Sequence, residues 1–165
     1  MEYKAGDKGP AGGIIFYDKG DNSDGWRYLE AAPEETEFED KPWGDYDGES
    51  VGLTGTEIGS GKSNTEIIVS AIGQKERWDD REDYAARVCK TLKYGGYSDW
   101  FLPSKDELEV MIYVLDKSGN INTLEGCWSS SEAGPFEAWR IVPFTKNIFT
   151  ANKHFEGSVR AARRF

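Results

Sequence analysis

The stretch Phe101-Leu102-Pro103-Ser104-Lys105-Asp106-Glu107-Leu108 constrains the fold of this chain more than any other. Pro103 must halt an extended segment, because a proline disfavours the helical region for the residue before it and offers no N–H to a ladder. Ser104 followed by Glu107 is the reciprocal cap that opens a helix. Leu108, Met111, Ile112 and Leu115 then recur at helical spacing until Gly119 stops the run. A strand-to-helix corner therefore sits near the middle of the chain, with different textures on its two sides.

Before the corner the sequence predicts two strands and two helices. Gly13-Ile14-Ile15-Phe16-Tyr17 reads as a strand, the turn-rich residues 18–25 as a loop, and residues 26–31 as the neighbouring strand. Residues 33–61 are acidic and glycine-punctuated without a regular period, so they read as a long irregular segment held down by Phe38, Trp43 and Tyr46. A first helix is expected to open at Ser63 with Glu66 as its cap partner, to bury Ile67, Ile68, Ala71 and Ile72, and to stop at Gly73. A second gathers Asp79, Asp80, Glu82 and Asp83 at its positive end, carries Tyr84, Ala85, Val88, Cys89 and Leu92 at helical spacing, and ends before Gly95-Gly96.

After Gly119 the residues turn aromatic and β-branched, and four short strands are expected over 127–131, 138–144, 147–150 and 158–164. With about three helices and a mostly antiparallel sheet, this is an α+β pattern. At 165 residues the chain is read as a single domain, residues 1–165.

Charge and cysteine usage narrow the function. The net charge of −10 opposes adhesion to nucleic acid, sulfated glycan or anionic lipid. No apolar run reaches the roughly 20 residues needed to cross a bilayer, so membrane insertion is not expected, and residues 1–12 hold no apolar leader-like core. Cys89 and Cys127 lie outside any metal or redox spacing; a disulfide between them stays open, and the placement of Cys89 on the apolar face of the second expected helix favours a buried free thiol.

Three motifs fall short of the chemistry they resemble. Gly59-Ser60-Gly61-Lys62-Ser63 lacks the glycine that a phosphate-binding loop needs at position 56, where Thr56 stands, and reads as a glycine-rich turn. Asp21-Asn22-Ser23-Asp24-Gly25 fails the EF-hand pattern at both ends; a looser calcium site there is the one cofactor reading left open, and otherwise no cofactor or metal is expected. His154 is the sole histidine, and no nucleophile elbow is present, so no catalytic residue is assigned.

The final segment is more informative. Phe136, Arg140, Phe149, Asn152, His154 and Phe155 fall among short strands and turns that cannot bury every ring. Exposed aromatics beside hydrogen-bonding side chains are what binding hot spots and sugar-stacking platforms require.

Five motifs in order carry a family resemblance: Gly12-Gly13-Ile14-Ile15-Phe16-Tyr17, Trp26-Arg27-Tyr28-Leu29-Glu30-Ala31-Ala32-Pro33, the run from Gly95 through Trp100 to Leu108, Trp128-Ser129-Ser130-Ser131-Glu132, and Val159-Arg160-Ala161-Ala162-Arg163-Arg164-Phe165. Together they resemble the domain family typified by the C-terminal domain of the Legionella collagen-like adhesin. That family is similar to the C-type lectins and the formylglycine-generating enzymes. The resemblance implies a C-type-lectin-like fold with adjacent termini, in which Ile14 to Tyr17 lies beside residues 158–164. It also extends to the variable proteins of diversity-generating retroelements, whose diversified window would here be residues 133–157.

On this resemblance the chain is expected to be a ligand-binding recognition domain and not an enzyme, located at a cell surface or outside the cell, and taking a protein or glycan ligand. Its expected contacts are Phe136, Arg140, Phe149, Thr150, Asn152, His154 and Phe155, side by side on one exposed face, with Trp100, Trp128 and Trp139 in the core beneath. The alternatives are an enzyme of the formylglycine-generating class, for which no matching cysteine or metal chemistry is evident, and a structural or oligomerising surface domain.

Overall fold

The structure is a computed structural model that describes residues 1–44, 48–73 and 83–165. At Pro103 the helix half of the expected corner forms as its residues dictate, whereas the extended segment before it makes only an isolated bridge, Phe101 to Ala162, and no strand. Ser104 Oγ accepts from the Glu107 N–H at 3.2 Å, and the Glu107 carboxylate accepts from the Ser104 N–H at 2.7 Å. Both halves of the reciprocal cap are therefore made, and the helix beyond buries Leu108, Met111, Ile112 and Leu115.

Among the described residues the elements run β1 (Ile14–Asp18), β2 (Tyr28–Ala31), β3 (Phe38–Pro42), α1 (Gly61–Ile72), α2 (Ala85–Thr91), α3 (Lys105–Lys117), β4 (Cys127–Glu132), β5 (Glu137–Val142), β6 (Asn147–Asn152), β7 (Glu156–Val159) and β8 (Ala162–Arg164). They make a mixed α+β fold with two sheets, a small one ordered β1-β2-β8 and a larger one ordered β3-β7-β4-β5-β6. All pairings are antiparallel except the short β4–β7 contact at Cys127 and Ser158. None of these helices is long and apolar enough to cross a membrane.

The larger sheet separates two cores because side chains alternate along each strand. Trp128, Ala138 and Ala151 face one way and join Trp43, Ile68, Ile72, Ala85 and Cys89. Cys127 and Ile141 face the other way and join Leu108, Met111, Leu115, Phe16 and Leu29.

Several expectations need correction. Strand β1 does not lie beside the closing segment; β2 stands between them and pairs with β8 through Leu29 and Arg164, Glu30 and Arg163, and Ala31 and Ala162. The termini are nevertheless adjacent, with the Tyr3 and Phe165 rings 5.8 Å apart. The single closing strand expected over 158–164 is two strands in different sheets, broken at Arg160 and Ala161. Arg160 is buried there, donating to Glu37 and to the Ala32 and Asn120 carbonyls. That demand on a buried guanidinium pulls the backbone out of one continuous ladder.

The irregular reading of residues 33–61 missed β3, which pairs with β7 through a bulge where Asp40 takes a positive φ of 53°. An acidic strand interrupted by a bulge shows no period of two. Trp43 is buried and Phe38 half-buried, whereas Tyr46 lies outside the described residues. Helix α1 begins at Gly61 rather than Ser63, and Ser63 Oγ donates to the Ser60 carbonyl instead of capping. Its buried stripe is Asn64, Thr65, Ile68 and Ile72, with Ala71 exposed. The predicted acidic start of the second helix, at 79–82, lies outside the described residues; Ala85, Ala86, Val88 and Cys89 are its buried face.

Glu107 explains why α1 starts where it does. Its buried carboxylate also accepts from the Gly59 N–H at 2.9 Å and from the Gly61 N–H, so one side chain caps two helices. A Cβ on Gly61 would fall 2.1 Å from Glu107 Oε2, so only glycine permits this approach. The anion-cradling end of α1 is thus filled by the protein's own carboxylate.

Candidate functional site

The seven candidates do not form one face. Strands β5 and β6 pair in register, with Arg140 opposite Phe149, Trp139 opposite Thr150, and Glu137 opposite Asn152. Directly opposed residues share a face and adjacent ones alternate. Arg140 and Phe149 therefore lie on the Trp128 side, and Thr150 projects with Trp139 on the α3 side. Phe136, His154 and Phe155 belong to the loops at one end of this hairpin.

That end is tied together by hydrogen bonds. The Lys153 N–H donates to the Phe136 carbonyl at 2.9 Å, so the 133–136 turn lies against the 153–155 turn. Asn152 Oδ1 accepts from the His154 N–H at 3.2 Å and also contacts His154 Nδ1, which orients the imidazole. The His154 ring meets Phe155 edge-on at 4.8 Å between centroids. Phe155 is 53% exposed and Phe136 56%, and the Phe136 ring lies so close over Gly48 that a Cβ there would sit 2.4 Å from it. Two exposed phenyl rings and a half-buried imidazole thus lie at one end of the hairpin.

Beneath them is an anchor the sequence did not reveal as such. The buried Lys153 ammonium pairs with the buried Glu132 carboxylate and donates to the Pro135 carbonyl at 2.8 Å and the Glu49 carbonyl at 3.3 Å. It lies 4.9 Å from the centre of the Trp43 ring. Glu132 in turn accepts from Ser50 Oγ at 2.5 Å and the Val51 N–H at 3.0 Å. This one ion pair fastens the 48–51 loop, the 133–136 turn and the end of β6 together. A lysine beside an asparagine and a histidine reads in sequence as a solvated cation, so no local signal marked it.

Arg140 was expected on the surface and is instead buried, with 7% of its area exposed. Its guanidinium stacks on the Trp128 ring at 4.4 Å and lies 6.0 Å from the Phe149 ring. Nη2 donates to the Gly126 carbonyl at 2.7 Å. Added Cβ atoms on Gly126 and Gly157 would stand 2.8 Å from Nε and 2.3 Å from Nη2, so these glycines make the space the guanidinium fills. Burial lowers the pKa of Arg140, only partly opposed by the charge of Glu125. Phe149 stays 37% exposed over it.

Trp139, placed in the core from sequence, is half-buried, with Lys105 Nζ 5.7 Å from its ring. Its face of the hairpin lies toward α3. Trp100 and Trp128 are core residues as expected.

The groups that other chemistries would need are differently placed. Cys89 and Cys127 are free, buried, and lie in opposite cores. Burial raises both thiols, Cys127 to about 12 and Cys89 further, which keeps them protonated and poorly nucleophilic. At the Asp21–Asp24 turn, Lys19 Nζ stands 3.5 Å and 2.8 Å from the two carboxylates, so an ammonium already faces them. No family model matches the chain, and no curated protein matches it in sequence.

Proposed function

We propose that this protein is a ligand-binding recognition domain of the C-type-lectin-like kind, with its contact surface at the end of the β5–β6 hairpin. The observation that carries the reading is the display of Phe136 and Phe155, each more than half exposed, on turns locked by the buried Lys153–Glu132 pair. Exposing large rings costs solubility, and holding them on a stiff mount lowers the entropy lost on binding. His154 and Asn152 supply hydrogen-bonding groups beside the rings, and Phe149 extends the apolar surface toward Arg140.

Thr150 joins the half-buried Trp139 on the opposite face and acts, in this reading, as a flank of the site. The small sheet that unites the first and last strands, and the helix-opening Pro103-Ser104 corner, support the lectin-like assignment. The ligand is a protein or glycan, and residues 133–157 are the window in which retroelement diversification would act. Turns fastened from below tolerate such variation, because Phe136 and Phe155 contribute little to either core. The buried, raised thiols favour binding over cysteine chemistry.

The test compares the wild type with the Phe136→Ala, Phe155→Ala double variant on an array of purified surface proteins and glycans. Melting should shift little, by about 0.5 kcal/mol or less per exposed site, while capture of whichever ligand the wild type retains falls at least tenfold. Equal capture by both proteins would refute the reading, as would loss of the fold. A reverse transcriptase gene beside a near-copy of the segment encoding 133–157 is the expected genomic context for diversification.

A further inference from the structure

Arg140 is a buried cation without a counter-ion. Among the described residues no carboxylate lies within ion-pair distance of it, and its one hydrogen bond goes to a neutral carbonyl. Two buried side-chain nitrogens of the described residues lack a partner, Trp100 Nε1 and Arg140 Nε, and only the second belongs to a charged group. Nη1 also has no hydrogen-bond partner, and unlike Nε it is not sealed from solvent.

The other buried cations each hold a carboxylate. Lys153 holds Glu132, Arg160 holds Glu37, and Arg163 holds both Glu30 and Asp99. In a chain of net charge −10, acids to neutralise Arg140 are not scarce, yet none is placed on it. Glu125, close enough to influence its charge, instead accepts a long bond from Ser158 Oγ at 3.5 Å. Taking a charge out of water with no ionic partner opposes folding, and stacking on aromatic rings offsets only part of that. Two glycines have to be kept bare to accommodate the group.

The geometry points to Arg140 as a receptor for a carboxylate brought by the ligand, entering past Phe149 and accepting from Nη1. This inference rests on the recognition reading above and names the chemistry of what is recognised. The favoured source is an aspartate or glutamate side chain of a protein ligand. The guanidinium is recessed, with 7% of the residue exposed, beside the exposed phenyl ring of Phe149. A carboxylate on a short methylene stem reaches into such a recess and leaves apolar carbon against the phenyl. A sugar-acid carboxylate is fixed directly to its ring and so brings bulk closer to the recess than a methylene stem does. The overall negative charge is no obstacle at contact range, since at physiological salt charges beyond about 8 Å are largely screened.

The test follows the Nε–H resonance of Arg140 in the nitrogen-15-labelled full chain, assigned by its disappearance in Arg140→Lys. It is titrated with acetate, with N-acetylglutamic acid amide, with the uncharged N-acetylglutamine amide, and with glucuronate. Saturable shifts with acetate and the glutamic derivative, at least fivefold weaker or absent with the other two, are expected. No shift with either acid overturns the inference, as does an equal response to the uncharged amide. A response to glucuronate as strong as that to the glutamic derivative overturns the protein source and assigns the carboxylate to a glycan. These probes do not require the natural ligand, so a null titration with capture still sensitive to Phe155 sinks this inference alone.

Discussion

Lys153→Ala is expected to destabilise the protein by about 3–5 kcal/mol, because it strands the Glu132 carboxylate in the interior with its charge unmatched. The Pro135 and Glu49 carbonyls lose the hydrogen bonds from the Lys153 ammonium at the same time. Denaturant unfolding should show the loss as a lower midpoint, and the amides of residues 48–51 and 133–136 should lose hydrogen-exchange protection first. The double variant Lys153→Met, Glu132→Leu should recover much of the stability, since an apolar pair of similar volume removes the stranded charge. The turns would then be held by packing alone, and ligand capture through Phe136 and Phe155 should fall more than stability does. If Lys153→Ala unfolded at the wild-type midpoint, the anchor would not be what holds the site.

The second large effect belongs to Glu107. Glu107→Ala removes the acceptor for the Ser104, Gly59 and Gly61 N–H groups in one step. With each orphaned buried donor costing about 1–3 kcal/mol and some relaxation allowed, a loss of about 3–4 kcal/mol is expected. Both α1 and α3 should fray at their first turns, which amide exchange resolves helix by helix.

The pH dependence has a definite sign. Burial, opposed by these N–H donors, raises the Glu107 carboxyl above its ordinary value of 4.5. A folded-state value above the unfolded one means that the native state binds the proton more tightly. The contribution of this group to stability is therefore fully present below the unfolded value and declines as pH rises through the raised folded value. Glu30, buried and shifted the same way by desolvation, adds to that slope. Glu107→Gln should flatten the fall of stability above pH 4.5 and cost less than Glu107→Ala, since an amide oxygen still accepts from part of the set.

The parts of the fold legible in the sequence were those whose signal is local. The Ser104–Glu107 cap, the Leu108, Met111, Ile112 and Leu115 stripe, and the stop at Gly73 each depend on residues within a few positions of one another. Strands β4, β5 and β6 lie within a few residues of the strands expected there for the same reason. What was misread depends on distant partners. β3 exists because β7 pairs with it, and the closing segment splits because Arg160 must satisfy Glu37 and two carbonyls. Helix α1 starts at Gly61 because a glutamate 46 positions further along caps it.

The candidate site divides along the same line. That rings such as Phe136, Phe149 and Phe155 would be exposed followed from strands too short to cover them. Which face each residue took depended on the register of β5 against β6, and a shift of one residue would have exchanged every side chain between faces. Arg140 was misplaced for that reason, and Trp139 with it.

By itself, the sequence determined the kinds and order of most elements, the α+β class, the separation of Cys89 and Cys127 from any metal or redox spacing, and the aromatic richness of the last segment. Only the tertiary structure decided that Lys153 and Glu132 are an anchor, that one carboxylate caps two helices, and that Arg140 is interred without a counter-ion. The reason is physical: propensity and capping act between near neighbours, whereas burial, and therefore the strength and meaning of a charge, is set by whatever the folded chain brings alongside it.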